Sequence, residues 1–251
     1  MFRKKTELII DGRKYTSDSI DIDFLVEFDS DPEPNVAEIS LWNASEDTIG
    51  RIKKGAKVIV NAGFEGDLGV LIAGTVGTYE VISYNVDKEL KLYVGDGIDV
   101  WNTPIKMTFK NTNADTVVKK LLEMSGLRAK IDLGKNVTYP QVVFNGKLSD
   151  ALKRIATDTE SKFFIKNGQG YMVKESFKEQ SIFFLNIDSG LIGSPERILI
   201  DEKIGYRVNC ILQHRINVGS YVRIDSRRVK GDFKVVKGKH ADITEMEVLP
   251  I

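Results

Sequence analysis

Along much of the chain, apolar and polar residues alternate with a two-residue period, the spacing of strands with one buried face. Glu7 to Ile10 and Arg13 to Thr16 flank Asp11-Gly12, a dipeptide suited to the tight turn of a hairpin because both central positions need positive φ. Ile20, Ile22 and Phe24 alternate with Asp21 and Asp23, which predicts a half-buried strand up to the break at Asp31-Pro32-Glu33-Pro34-Asn35. Val36 to Trp42 predicts another strand. Ser45 then caps a short helical turn, with Glu46 and Asp47 at its positive end and Gly55 closing it. Strands follow over Lys57 to Asn61, Val70 to Val76, Tyr79 to Tyr84 and Leu90 to Val94, with Gly63, Gly66, Gly69, Gly74 and Gly77 at turns or bulges.

The period changes after Trp101-Asn102-Thr103-Pro104. From Asp115 to Met124, residues Val117, Val118, Leu121 and Leu122 share one helical face, with Asn113 as cap and Gly126 as terminator. Short strands over Ala129 to Leu133 and Gln141 to Phe144 precede a second helix, capped by Ser149, whose buried stripe is Leu152, Ile155 and Ala156. Phe163 to Lys166, Asn167-Gly168 and Tyr171 to Lys174 predict a hairpin. From Ile182 the two-residue period returns: Val208, Cys210 and Leu212, then Val222 and Ile224, Phe233 and Val235, and Met246 and Val248. Gly219, Gly231 and Gly238 are read as turns. The expected fold is mainly β with an α+β insert: an N-terminal β-barrel domain over 1–104, a compact α+β domain over 105–178 and a C-terminal β-barrel domain over 179–251. The two β regions share a style without a fixed-period repeat.

Composition narrows the chemistry. The 251 residues carry 36 Lys and Arg against 36 Asp and Glu, so no global charge draws the chain to nucleic acid or a membrane. Its single cysteine, Cys210, can form neither an intrachain disulfide nor a cysteine-based zinc site and is expected in the core. No apolar run approaches the roughly 18–20 residues of a membrane span, and the segment from Met1 to Ile10 is too short in its apolar part for a signal peptide. Asp21, Asp23, Asp29 and Asp31 lack the central glycine and terminal glutamate of a calcium loop. Gly63 to Gly69 has no accompanying Lys-Ser/Thr, and Gly95-Asp96-Gly97 reads as a turn. His214 and His240 sit beside no nucleophile motif. The expectation is a non-enzyme without metal or cofactor.

Charge is uneven locally. From Lys203 to Lys239 stand ten bases, Lys203, Arg207, Arg215, Arg223, Arg227, Arg228, Lys230, Lys234, Lys237 and Lys239, against Asp225 and Asp232. With Tyr206, Tyr221 and Phe233 interleaved, a basic barrel could bind single-stranded nucleic acid. A solvated or inter-subunit face balanced by acids elsewhere is the competing reading.

Several stretches carry a family resemblance. DPEPNVAEISLWNAS from Asp31 to Ser45, Thr48-Ile49, IKKGAKV from Ile52 and NAGFEGDLGVLIAG from Asn61 resemble the N-terminal barrel of phage tail baseplate-hub and tail-tip proteins. LIGSPERI from Leu191, YRVNCILQHRINVGSYVRIDS from Tyr206, GDFKVVKGKH from Gly231 and EMEV from Glu245 are similar to the final barrel of the same family. The resemblance implies a structural protein of a phage or prophage-derived tail, assembled in the bacterial cytoplasm and located in the virion tail. It also implies a homotrimeric ring joining the tail tube to a spike or fibre and other baseplate proteins, with tape-measure protein and DNA passing through. Arg207, Arg215, Arg223, Arg227, Arg228 and Lys230 then become candidate lumen or subunit-contact residues. Some relatives carry a fused cell-wall hydrolase, and this chain, ending with the barrel, is expected to lack one. Nucleic-acid binding and, more remotely, wall hydrolysis are the alternatives.

Overall fold

The computed structural model describes residues 3–29, 34–97, 101–166, 168–174, 176–177 and 182–251. Strands dominate among these residues. The N-terminal region runs β1 (Lys4–Ile10), β2 (Arg13–Thr16), β3 (Ile22–Asp29), β4 (Val36–Trp42), helix α1 (Glu46–Arg51), β5 (Lys57–Phe64), β6 (Asp67–Tyr84) and β7 (Asp87–Gly95). The middle region runs β8 (Pro104–Asn113), α2 (Ala114–Met124), β9 (Arg128–Asp132), β10 (Thr138–Lys147), α3 (Leu148–Asp158), β11 (Ser161–Lys166) and β12 (Gln169–Lys174). The C-terminal region runs β13 (Ile182–Leu185), β14 (Leu191–Ile200), β15 (Lys203–Ile211), β16 (Tyr221–Asp225), β17 (Lys230–His240) and β18 (Ile243–Pro250).

Mainly-β character with an α+β insert is what the alternation predicted. The two β regions, however, share one 13-stranded sheet, ordered β14-β15-β18-β17-β3-β4-β7-β6-β5-β1-β2, with β13 and β16 branching off β17. Its hydrogen-bonded path is open among the described residues, so neither region closes as a barrel by backbone pairing. The join is the antiparallel pairing of β17 with β3, from Lys237↔Asp29 to His240↔Val26. The expected boundary between 178 and 179 lies outside the described residues, as do Asp31, Pro32, Glu33 and Asn167 from the sequence reading.

Side-chain phase explains the cores. Leu8, Ile22, Phe24, Ile39, Leu41, Val58, Val60, Leu90 and Leu92 fill the N-terminal core, joined by Leu212 from the C-terminal region. In return Phe28 of β3 packs into the C-terminal core with Val208, Cys210, Val222, Phe233 and Val248, where Phe164 and Tyr171 of the β11–β12 hairpin also insert. Asp11 (φ 44°) and Gly12 (φ 83°) make the expected hairpin turn. Ser45 accepts the Thr48 N–H at 3.2 Å, capping α1.

Four local expectations need correcting. Val70–Val76 and Tyr79–Tyr84 are one continuous 18-residue strand. Its first half pairs with β5 and its second with β7, and a Cβ on Gly74 would lie 2.4 Å from the Gly95 carbonyl oxygen, so this glycine permits a close approach of strands and is not a turn. Gly231 and Gly238 likewise lie within β17. Helix α3 starts at Leu148 with Lys147 as N-cap, leaving Ser149 buried inside it. Asn113 does occupy the N-cap of α2 but makes no side-chain cap bond; its Oδ1 accepts from the Thr138 hydroxyl at 2.8 Å.

The middle region contains a repeat. Strand–helix–strand units β8-α2-β9 and β10-α3-β11 superimpose in sequence at an offset of 34 residues. Each has a 10-residue strand running directly into an 11-residue helix. The buried apolar helix positions match: Ala114 and Leu148, Val117 and Ala151, Val118 and Leu152, Leu121 and Ile155, Leu122 and Ala156; buried Ser149 departs from the pattern, since its counterpart Asp115 is exposed. The helix ends match too. The Ser125 hydroxyl donates to the Leu121 and Leu122 carbonyls, the Thr159 hydroxyl to those of Ile155 and Ala156. Gly126 (φ 74°) and Glu160 (φ 51°) follow, both left-handed. Strands β8 and β10 pair antiparallel from Pro104↔Lys147 to Asn113↔Thr138, so the two units face each other about a pseudo-twofold axis.

Candidate assembly surface

The basic residues of the C-terminal region stand on strands whose neighbours supply acids. Arg207 and Glu247 are partners across β15 and β18, with NH2 3.3 Å from Oε1, and Lys237 approaches the other Glu247 oxygen at 3.2 Å. Lys239 faces Glu245 at 3.3 Å. Arg223 grips its cross-strand partner Asp232 with two bonds of 2.6 and 2.8 Å, holding that carboxyl below its usual range. Lys230 reaches Asp225 at 2.7 Å. Arg215 chelates Asp67 of β6 through both terminal nitrogens, NH1 at 2.9 Å. The Asp67 carboxyl is lowered chiefly by that hydrogen bonding. Four of the six candidate residues are thus engaged within the chain. Arg227 and Arg228 differ. They project from the turn between Ser226 and Val229, whose backbone is pinned by the Ser226 hydroxyl, and neither makes an ion pair among the described residues.

The Asp67–Arg215 pair belongs to a second tie between the two β regions. Beside it the His214 ring packs onto Gly69, where a Cβ would fall 2.0 Å from His214 Cδ2. Burial and the neighbouring Arg215 hold His214 below its ordinary pKa. The other histidine lies at the sheet's join. His240 is fully buried, 4.7 Å from the Phe28 ring. Its Nε2 lies 3.0 Å from the Ile216 carbonyl oxygen and its Nδ1 2.9 Å from the Thr244 hydroxyl. A carbonyl can only accept, so the neutral ring carries its proton on Nε2, and the Thr244 hydroxyl, which also accepts the Gln213 N–H at 3.0 Å, donates to Nδ1. Burial pushes the pKa down to about 3. Both histidines therefore serve as structure. Cys210 is buried, its thiol pushed up to about 12, which leaves it unreactive.

Open strand edges and apolar side chains mark the outside. The second half of β6 pairs with β7 on one edge only and exposes Tyr79, Val81 and Tyr84, with Val86 at the hairpin tip 92% exposed. Strand β14 is a terminal strand of the sheet and exposes Ile192 and Leu199, the latter by 75%. Ile182 and Phe184 project from β13, which among the described residues pairs only with β16. Such edges invite pairing with another chain unless covered. Among the described residues no three His, Cys, Asp or Glu side chains gather as a metal site, and no helix is long and apolar enough to cross a membrane.

The sequence reading missed where the charge resides. Residues 1–103 hold 11 bases and 19 acids, residues 104–174 hold 13 and 6, and residues 175–251 hold 12 and 11. Counting by region, instead of following one basic run, places the positive excess on the α+β region and the negative excess on the N-terminal one.

No family model and no curated protein matches the chain. Solved structures do. The 43 kDa tail protein of prophage MuSo2 from Shewanella oneidensis superimposes with a TM-score of 0.74, over 98% of this chain and 97% of that one, at 8% identity. A tail protein from Neisseria meningitidis MC58 gives 0.72, with coverage of 98% and 95% at 9% identity. An Escherichia coli component of the type VI secretion system, described as structurally similar to T4 phage tail proteins, gives 0.68, with coverage of 97% and 76% at 10% identity. At such identities the likeness is one of fold: the chain shares the fold of these proteins along almost its whole length.

Proposed function

We propose that this protein is a structural, non-enzymatic component of a phage or prophage-derived tail, forming the baseplate-hub or tail-tip ring between the tail tube and the spike or fibre. The observation that carries the reading is the near end-to-end match to two tail proteins, one of them from a prophage, with coverage of 98% on this side and 95–97% on theirs. A fold shared over one domain supports little about role. A superposition that runs over nearly the whole of both chains supports a shared kind of part. The open edges of β6 and β14 add a physical reason to assemble, because neighbouring copies would cover them. The three segments 1–104, 105–178 and 179–251 are taken as the building units of a homotrimer within the virion tail. The basic residues with internal partners stiffen each protomer, leaving Arg227 and Arg228 for the lumen or a subunit contact.

Light scattering and cross-linking of the chain, alone and with its cognate tube and spike proteins, test the proposal. The expected result is a trimer or a ring-like complex. A monomer that persists with both partners present overturns it. The unpaired Arg227 and Arg228 favour one second reading, binding of single-stranded nucleic acid as tail cargo passes. Salt-sensitive binding weakened by R227A/R228A would support that reading, and no binding at low salt removes it.

A further inference from the structure

The ribbon formed by β8 and β10 has two unlike faces. Ile105, Met107, Phe109, Val142 and Phe144 point to the helices and the core. The outward residues are Lys106, Thr108 and Lys110 on β8 and Gln141, Val143 and Asn145 on β10, paired as Lys106↔Asn145, Thr108↔Val143 and Lys110↔Gln141. No acid stands among these six positions. Lys106 and Lys110 make no ion pair among the described residues, and Val143 between them is 50% exposed. Asp150 lies near the end of the ribbon, beside Gly146.

The outer face of the N-terminal sheet has the opposite sign. Asp23, Leu25 and Glu27 on β3, Glu38 on β4, Lys91 and Tyr93 on β7 and Glu80 on β6 share it, while Ser40 and Glu89 have the same phase but are buried and bonded to each other. Lys91 is held by Glu38 at 2.7 Å. Across the join, Lys237 and Lys239 are held by Glu247 and Glu245. Asp23 takes the Trp42 indole N–H at 3.0 Å. Neither Asp23 nor Glu27 forms an ion pair among the described residues; Lys239, which stands opposite Glu27 in the β3–β17 register, is turned to Glu245.

The spacing agrees as well as the sign. Lys106 and Lys110 are four residues apart on one strand, as are Asp23 and Glu27, which places each pair about 13–14 Å apart. A neutral position separates each pair: Thr108 with Val143 beside it, and half-buried Leu25. We propose that the basic outer face of the β8–β10 ribbon docks on the acidic outer face of the N-terminal sheet of a second copy of this chain, pairing Lys106 and Lys110 with Asp23 and Glu27 around a small apolar contact between Val143 and Leu25. The contact is heterologous, a ribbon on one copy meeting a sheet on the next, as a ring requires. It rests on the reading of this chain as a self-assembling ring component. A nucleic acid is the weaker fit to this ribbon, since its outward positions offer no aromatic ring for base stacking.

Sedimentation velocity at low and high salt tests the docking. K106E/K110E and D23K/E27K are each expected to weaken self-association by at least about tenfold, and the combined variant D23K/E27K/K106E/K110E, which reverses both faces of every copy, is expected to restore it. Recovery in the combined variant also demonstrates that the substitutions leave the chain folded. The inference is overturned if both variants associate as the unmodified chain does, while the ring proposal survives through its strand edges. An unmodified chain that stays monomeric at high concentration and low salt, even with tube and spike proteins, overturns both. If K106E/K110E loses binding to single-stranded DNA and keeps self-association, the ribbon is a nucleic-acid face and the docking falls.

Discussion

Gly69 matters for what it lacks. Its missing Cβ is the space in which the His214 ring sits, and an added methyl group would fall 2.0 Å from Cδ2. The His214 side chain is only 11% exposed, so it has little room to retreat. Gly69→Ala should therefore cost about 1–3 kcal/mol, the range for an overpacked site, read as a lower urea midpoint. His240 makes a second prediction at this scale. An unfolded histidine takes up a proton near pH 6.5, whereas the buried ring resists protonation down to about 3. The unfolded chain thus binds more protons in that window. The contribution of this histidine is full above pH 6.5 and fades as the pH falls toward 3, by up to roughly 5 kcal/mol. His240→Gln should be less stable than the unmodified chain at pH 7, with the gap closing by about pH 4 in urea titrations. A constant gap would remove His240 from the acid response.

At the scale of elements, the duplicated strand–helix–strand unit provides its own control. Gly126 and Glu160 occupy equivalent left-handed positions after their helices, but only the first is a residue that adopts such a φ without strain. Glu160→Gly should stabilise the protein by about 0.5–1 kcal/mol and Gly126→Ala should destabilise it by a similar amount, both measured by thermal melting. Equal effects of the same sign would break the equivalence. Much of this architecture was legible beforehand. The hairpin at Asp11-Gly12, the Ser45 cap, both apolar helix stripes and the alternation from Val208 to Val248 correspond to observed elements. Strand β8 was equally visible in Ile105, Met107 and Phe109 alternating with Lys106, Thr108 and Lys110, but Pro104 drew the eye as a break, although a proline is tolerated as the first residue of a strand. The repeat stayed hidden because its two copies share burial more than residue type: Gly126 stands against Glu160, and Val117 against Ala151. Nothing local could show that Gly74 and Gly238 lie within strands, since the atoms that crowd them come from Gly95, Phe28 and Glu245.

For the whole molecule, the main question is whether the two β regions behave as one body. Three ties bind them: the β3–β17 pairing, the exchange of Phe28 and Leu212 between cores, and the Asp67–Arg215 clamp with His214 on Gly69. Under the proposed role, a part that joins tube to spike is served by regions that do not hinge independently. Scanning calorimetry should accordingly show the two β regions melting in one transition. Gly238 is the place to break that coupling. A Cβ there would lie 2.4 Å from the Glu245 carbonyl oxygen and 2.6 Å from the Phe28 ring, and neither can yield without opening the join, since Glu245 is fixed in the β17–β18 ladder and Phe28 is buried in the C-terminal core. Gly238→Ala should cost more than Gly69→Ala, where an imidazole rather than backbone is displaced, and should split the single transition in two. If the variant still melts in one step at an unchanged temperature, the join is not what unites the regions, and the clamp at Asp67 becomes the coupling element to remove next.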